Sequence, residues 1–235
     1  MTPTRGHGLT QQQAVLLTME VESAVNLLRD GREALRTMTY SSRGADTVWT
    51  LLSLGAEKLL KLSIGFAALE ETGEWPGKTM RGYAHKVVQL DDDVRELIAV
   101  GMARAAQPAY VRNGLARLNS DTVWPKIREG LEQYGSGGRY HYLDWINGQP
   151  PFDSPRGYWD HIENEALEPH PAARALFVSV VPGDFQKARR QTNDAVVASL
   201  DVWWSAVHVA WKQGALGAEA AAMSSGIDPG GVLAR

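Results

Sequence analysis

The stretch that decides the fold reads VWTLLSLGAEKLLKLSIGFAALEETGEWPGKTMRGYAHKVVQLDDDV and spans residues 48–94. Its first part carries apolar residues at helical spacing, with charged residues on the opposite face. Gly73 then ends the helix, and Trp75-Pro76-Gly77 forms a turn before a second helical segment that contains a His–Lys pair. This order predicts a helical hairpin that has its charges on one face.

The same periodicity predicts helices along most of the chain. In the first of them Leu17, Val21, Ala24 and Leu28 recur at spacings of three or four residues, and Thr10 is the expected N-cap. The three acids at 91–93 are predicted to begin a new helix, because carboxylates cap and stabilise a helix N-terminus. The predicted helices span approximately residues 10–38, 46–72, 83–90, 91–106, 109–118, 121–134, 155–167, 172–181 and 184–213.

Two segments lack this periodicity. Residues 39–44 are predicted to form a short loop, and residues 135–155 a long one that is either functional or a seam between domains. The run 177–181 could also be a strand, but it has no partner strand. We expect an all-α, antiparallel helical bundle that forms a single domain over residues 1–235. The first helices would occupy 10–134, the long loop 135–155, the C-terminal helices 156–213 and a flexible tail 214–235.

Composition excludes several classes of protein. A chain of 235 residues with 44% hydrophobic residues and eight tryptophans has the profile of a globular domain with an aromatic-rich core. A net charge of −3 argues against a broadly basic surface that coats nucleic acid. The absence of cysteine excludes disulfides, thiolate nucleophiles and thiolate-bound zinc. The longest apolar stretch, 195–211, contains Asp201 and His208, so we expect no membrane span. Residues 1–13 contain no apolar run after a basic stretch, so we expect no secretory signal and a cytoplasmic protein.

The usual metal and nucleotide motifs are also absent. Neither H-x-x-x-H nor H-E-x-x-H occurs, and Gly135-Ser-Gly-Gly138 lacks the spacing of a phosphate-binding loop. The sequence contains no G-x-S-x-G either, which argues against a hydrolase nucleophile elbow. We therefore expect neither a metal nor a cofactor.

The histidines are the natural candidates for catalysis. Arg156 and His161 form an R-x-x-x-x-H pattern, in which an arginine could hold a phosphate and a histidine could move a proton. A chain of this composition gives such a spacing about once by chance. The alternative is that these residues form the first turn of a helix, with Arg156 exposed to solvent.

The E-K-x-x-K face of the second helix is open to two interpretations, a self-paired solvated surface or a ligand-facing one. The three indoles of the last helix are either core or an aromatic platform, and His208 among them is expected to be a core or interface residue.

Three segments resemble the HEPN superfamily of all-α domains. They are Gly55-Ala-Glu-Lys-Leu-Leu-Lys61 with the linker through Gly73 and Trp75, Gly82-Tyr-Ala-His-Lys-Val-Val-Gln-Leu90, and Gly137-Gly-Arg-Tyr-His-Tyr-Leu143. The resemblance covers about half of the chain. It implies a helical bundle that dimerises and takes part in bacterial toxin–antitoxin or anti-phage defence. Active members are metal-independent endoribonucleases that use an R-x(4–6)-H motif, whereas other members are binding or interaction modules.

The resemblance implies two functions. The first is a non-catalytic module that binds a partner protein or a small anionic ligand. Its site would be formed by Glu57, Lys58, Lys61, His85, Arg139 and His141. The alternative is an endoribonuclease in which Arg156 holds the scissile phosphate and His161 is the general acid/base. Here Gly157 follows the arginine and the motif precedes Pro169 instead of opening the last long helix, both of which depart from the family pattern. RNA or a protein is the expected partner, and a homodimer the expected assembly.

Overall fold

The computed structural model describes residues 9–148 and 153–230, except for the side chain of Thr79. Within these ranges the chain is helical and contains no β-strand, which confirms the all-α prediction. The α-helices are α1 (Gln11–Thr37), α2 (Ser41–Thr72), α3 (Val87–Gly101), α4 (Pro108–Asn119), α5 (Trp124–Ser136), α6 (His141–Ile146), α7 (Pro155–Leu167), α8 (Pro171–Phe177), α9 (Asp184–Lys212) and α10 (Ala218–Met223). None of the helices in the described part of the chain is long and apolar enough to cross a bilayer.

Helices α1 and α2 pack against each other as an antiparallel pair. Thr10 caps α1 as expected, because its hydroxyl accepts a backbone N–H of the first turn at 3.2 Å. Gly31 on α1 lies against Leu52, and Gly55 on α2 lies against Leu28. A Cβ at these glycines would come within 2.7 and 2.9 Å of the respective leucines. The two glycines therefore allow the helix backbones to approach closely.

A buried carboxylate links α3, α5 and α9. Asp91 is 1% exposed and accepts hydrogen bonds from the indole N–H groups of Trp124 and Trp203, each at 3.0 Å. The two indoles stack with their ring centroids 4.5 Å apart. Arg95 and Arg128 balance the buried charge at 2.8 and 3.0 Å. This network places a polar centre inside the tryptophan-rich core.

The position of Asp91 corrects one prediction. The acids at 91–93 do not begin a helix, and the separate helix expected over 83–90 does not form. Instead, α3 starts at Val87 and continues through the acids to Gly101. The N-terminus of α3 is satisfied from another helix, because Glu132 on α5 accepts the backbone N–H of Val88 at 2.8 Å. The prediction was wrong because a row of acids is a local capping signal, whereas Asp91 takes three of its partners, Trp124, Arg128 and Trp203, from distant parts of the chain.

Both predicted loops contain helix. Helix α2 begins at Ser41, so the loop expected over 39–44 is shorter than predicted. The long loop expected over 135–155 contains the end of α5, a 3-10 turn (Gly138–Tyr140) and α6. Its residues 149–152 lie outside the described residues. Helix α8 ends at Phe177, and residues 178–181 form neither the helix nor the strand considered for them.

The segment after α9 is packed against the core. Ala215 and Leu216 are fully buried, and the indole N–H of Trp204 donates to the carbonyl of Ile227 at 2.8 Å. The flexible tail predicted from residue 214 is therefore wrong for residues 214–230, while 231–235 lie outside the described residues. Its glycine- and alanine-rich composition resembles that of a linker, but here small side chains permit close packing.

The indoles of α9 belong to the core. Trp203, Trp204 and Trp211 are each 0% exposed, so they do not form a platform on the surface. His208 on the same helix is largely buried, 3.8 Å from Asp228. Burial lowers the pKa of His208, and the nearby Asp228 carboxylate opposes this shift in part.

Candidate ligand-binding site

A buried carboxylate on α2 connects three of the residues singled out from the sequence. Glu57 is 9% exposed and accepts a hydrogen bond from Lys61 Nζ at 2.6 Å. Its other oxygen contacts His85 Nδ1 at 2.8 Å. Lys61 Nζ also donates to the carbonyl of Ala84 at 2.9 Å. Glu57, Lys61 and His85 thus form one cluster, which we call the Glu57 site.

The carboxylate determines which ring nitrogen of His85 faces outward. An ionised carboxylate only accepts hydrogen bonds, so Nδ1 carries a proton in this contact. Nε2 lies on the opposite side of a ring whose side chain is 39% exposed. This nitrogen has no hydrogen-bond partner within residues 9–148 and 153–230. Glu57 therefore orients the imidazole and leaves Nε2 available to a ligand.

The backbone around His85 is held in an unusual conformation. Ala84 has φ 47° and ψ −122°, a region that residues with a side chain rarely adopt. The hydrogen bond from Lys61 to the Ala84 carbonyl helps to hold this turn. Gly135 on α5 lies beneath it, and a Cβ there would come within 2.9 Å of Ser53 Oγ and 3.2 Å of His85 Cβ. The position of His85 therefore depends on contacts from both α2 and α5.

Basic residues flank His85 along the chain. Lys78, Arg81 and Lys86 are exposed, and none has a carboxylate partner in the described part of the chain. Lys61 adds a further positive charge in direct contact with Glu57. The sequence analysis assigned none of these three residues to the site. The sequence did contain a signal for a basic segment here, since no acid occurs between Glu74 and Asp91.

The other three predicted ligand-binding residues lie elsewhere. Lys58 pairs with Glu20 at 2.9 Å and donates to Ser23 Oγ at 3.0 Å, so it is bound to α1. The guanidinium of Arg139 lies over its neighbour's ring, 5.1 Å from the centroid of Tyr140. His141 is 8% exposed, and its Nε2 accepts the indole N–H of Trp145 at 3.1 Å. None of these contacts involves Glu57, Lys61 or His85. The structure thus brings together three of the six predicted residues.

Arg156 and His161 have separate surroundings on α7. Ser154 caps this helix as predicted and accepts the Gly157 N–H at 3.0 Å. Arg156 is exposed, with Nε 3.7 Å from Asp160, and the exposed His161 has Nε2 3.7 Å from Asp153. Five residues along an α-helix turn a side chain by roughly 140° beyond a full turn. The two side chains therefore diverge within one chain and do not share a cleft.

Comparison with known proteins supplies no relative from which residue roles could be transferred. No protein-family model, curated protein or solved structure matches this chain.

A concave surface between α5 and α7 contains His161. We call this cavity of about 420 Å³ the acidic groove. Its lining residues are Lys126, Glu129, Gly130, Gln133, Asp153, Tyr158, His161, Asn164, Glu165 and Glu168. Lys126 pairs with Glu129 at 3.1 Å, whereas Glu165 and Glu168 have no cationic partner in the ranges that the structure describes. Four carboxylates facing one lysine make the surroundings of His161 unfavourable for a phosphate.

The described residues offer no arrangement for a metal. No group of three or more His, Asp or Glu side chains within residues 9–148 and 153–230 is placed to hold an ion. The Glu57 site has one carboxylate and one imidazole, and the carboxylate already accepts a hydrogen bond from Lys61 and contacts His85. Its chemistry is that of hydrogen-bond donors and positive charge.

Proposed function

We propose that this protein is a HEPN-like binding module that takes a phosphate-bearing ligand at the Glu57 site. The observation that carries the proposal is the contact between Glu57 and His85 Nδ1. It leaves the opposite ring nitrogen without a partner among the described residues, on a stretch of chain that carries exposed basic residues and no acid. Such an arrangement fixes the orientation of the imidazole, and lysine and arginine side chains supply positive charge without any metal.

The charge state of His85 determines how the site would bind. With Nδ1–H donated to Glu57, a neutral ring presents Nε2 only as an acceptor. Protonation turns Nε2 into a charged donor that a phosphate oxygen can accept. Lys61 contributes a further donor, because its ammonium has three N–H groups and two contacts to the protein.

The Arg156/His161 alternative has weaker support. A ribonuclease would need the guanidinium and the imidazole at one phosphate, and within the chain each lies beside its own carboxylate. His161 also lines the acidic groove. These contacts favour a binding module over an endoribonuclease.

Several parts of the proposal rest on the sequence alone. The HEPN-like architecture, the homodimer and the association with bacterial defence or toxin–antitoxin systems follow from the resemblance. The antiparallel bundle follows from the helical pattern, and the cytoplasmic location from the composition. A light-scattering measurement of molar mass tests the homodimer directly, and a monomer at all concentrations would refute it.

Calorimetric titration with a short single-stranded RNA at low salt tests the ligand class. We expect wild type to bind, with an affinity that falls as salt is added, because phosphate contacts release counterions. His85→Gln should weaken binding by about tenfold, the loss of one hydrogen bond to a charged group. His161→Gln is the matched control and should bind like wild type. Failure of the wild type to bind, or an equal loss in both variants, would refute the proposal.

A further inference from the structure

Helix α6 presents a row of large apolar side chains to solvent. Tyr140 just before it and four residues on it are more than half exposed, with Trp145 at 56% and Ile146 at 80%. We call these five residues the α6 surface: Tyr140, Tyr142, Leu143, Trp145 and Ile146. Isolated exposed apolar side chains are ordinary, but five within seven positions are an unusual concentration of apolar surface.

Local contacts hold the α6 surface in place. His141 is buried and accepts the indole N–H of Trp145 at 3.1 Å, and its ring meets the Tyr142 ring edge to face. The turn before α6 is anchored by Gly138, where a Cβ would come within 2.9 Å of the Tyr158 ring. The apolar side chains therefore project from a fixed base, which lowers the entropy cost of binding.

The area of this patch is too small for a stable interface by itself. Each large side chain covers about 150–250 Å² when fully buried, so five that are roughly half exposed offer about 500 Å². A specific interface usually buries about 800 Å² on each partner. A partner of the α6 surface must therefore contact a neighbouring surface as well.

The acidic groove is that neighbouring surface. Tyr158 lines the groove and also packs under Gly138, at the turn that leads into α6. Glu165 and Glu168 in the groove have no cationic partner in the described chain. Arg139 at the turn adds one positive charge, and the four groove carboxylates outnumber it. An apolar patch thus borders an acidic cavity with unpaired charges.

We propose that the α6 surface and the acidic groove together form a docking site for a basic amphipathic segment of a partner protein. Its apolar side chains would cover Trp145 and Ile146, and its lysines or arginines would pair with Glu165 and Glu168. Charge argues against a membrane as the occupant, because anionic lipids repel a surface flanked by carboxylates. Exposed aromatic anchors next to complementary charge are typical of protein-binding sites.

This docking site is separate from the Glu57 site. Both adjoin α5, but they use different faces of that helix. Gly130 and Gln133 line the acidic groove, whereas Glu132 and Gly135 contact the start of α3 and His85. Ligand binding at one site can therefore be tested while the other is intact.

A synthetic amphipathic peptide of leucine and lysine, labelled with a fluorophore, is the probe, and its Leu/Glu counterpart is the charge control. Anisotropy titrations should show binding of the Leu/Lys peptide and at least tenfold weaker binding of the Leu/Glu peptide. Trp145→Ser with Ile146→Ser should weaken binding by about tenfold or more, since exposed tryptophans are frequent hot spots. Glu165→Gln with Glu168→Gln should have an effect of similar size.

Two matched double variants complete the design. Val178→Ser with Val180→Ser removes exposed apolar side chains elsewhere, and Glu22→Gln with Glu96→Gln removes two exposed charges elsewhere. Both should bind the peptide like wild type. RNA binding by the α6 and groove variants reports on the Glu57 site and on folding, and it should be unchanged.

Four outcomes would overturn the docking proposal. In the first, the wild type does not bind the Leu/Lys peptide, and in the second the target and control variants lose equal affinity. In the third, the protein binds anionic vesicles instead of the peptide, and this binding depends on Trp145. In the fourth, the protein does not bind the peptide and the α6 variant converts a dimer to a monomer. The last outcome would identify a second copy of this chain as the occupant.

Discussion

Replacing Asp91 should destabilise the protein more than replacing any acid on its surface. Asp91→Ala removes the acceptor of two buried indole N–H groups and leaves two guanidinium groups without their buried counter-charge. Breaking a buried ion pair costs about 3–5 kcal/mol, and each stranded donor adds about 1 kcal/mol or more. We therefore expect a loss of about 5 kcal/mol, a large fraction of the stability of a typical domain.

Urea unfolding followed by tryptophan fluorescence measures this loss. Asp91→Asn keeps the size of the side chain and one acceptor, so it should cost less than Asp91→Ala and serves if the alanine variant does not fold. Asp92→Ala is the matched control, because its carboxylate is 56% exposed and pairs only at the surface with Arg128. It should cost less than about 1 kcal/mol. A loss below 1 kcal/mol for Asp91→Ala, or equal losses for the two alanine variants, would refute the central role of this carboxylate.

Three further predictions concern other regions. Burial lowers the pKa of His208 below its ordinary 6.5. The unfolded chain therefore binds this proton more tightly, so the free energy of unfolding should fall as the pH drops below about 6.5, and His208→Gln should flatten that slope in urea melts. Gly101→Ala should cost about 2 kcal/mol or more, because a Cβ would lie 1.8 Å from the Ala215 carbonyl oxygen. Gly82→Ala, where nothing lies within 4 Å, should change stability by less than about 0.5 kcal/mol, and equal effects would contradict the packing of the C-terminal segment. His161→Ala should leave any metal-independent RNA cleavage unchanged, and a specific loss of cleavage would restore the nuclease hypothesis.

Local signals in the sequence predicted the helices well. The caps at Thr10 and Ser154 and the end of α2 at Gly73 depend on neighbouring residues, and the structure confirms each of them. The predicted helix starts failed where distant contacts decide the outcome. The N-terminus of α3 is one example, since its capping carboxylate comes from Glu132, 44 residues from Val88.

The packing of the C-terminal segment could not be predicted from the sequence for a similar reason. Its composition indicates flexibility, and only contacts such as that between Trp204 and the Ile227 carbonyl show that it is ordered. The long predicted loop was misjudged because α6 is too short to show periodicity. A prediction from the apolar pattern alone would place the exposed apolar residues of α6 in the core.

The candidate site could be predicted only in part. Spacing along α2 identified Glu57 and Lys61 as a pair, because residues four apart meet on a helix. Spacing could not show that Lys58 would be bound to α1, nor that His85 would reach Glu57 across 28 positions. The contribution of Gly135, which lets α5 approach His85, was also invisible in the sequence.

The most direct test of the central claim is the response of the histidine side chains to a phosphate-bearing ligand. Ring proton–nitrogen NMR spectra of protein with ¹⁵N-labelled histidine would be recorded during a titration with inorganic phosphate and then with a short RNA. We predict that the Nε2 resonance of His85 shifts with saturation and that the resonances of His161 do not. A shift at His161 with none at His85 would contradict the proposed function.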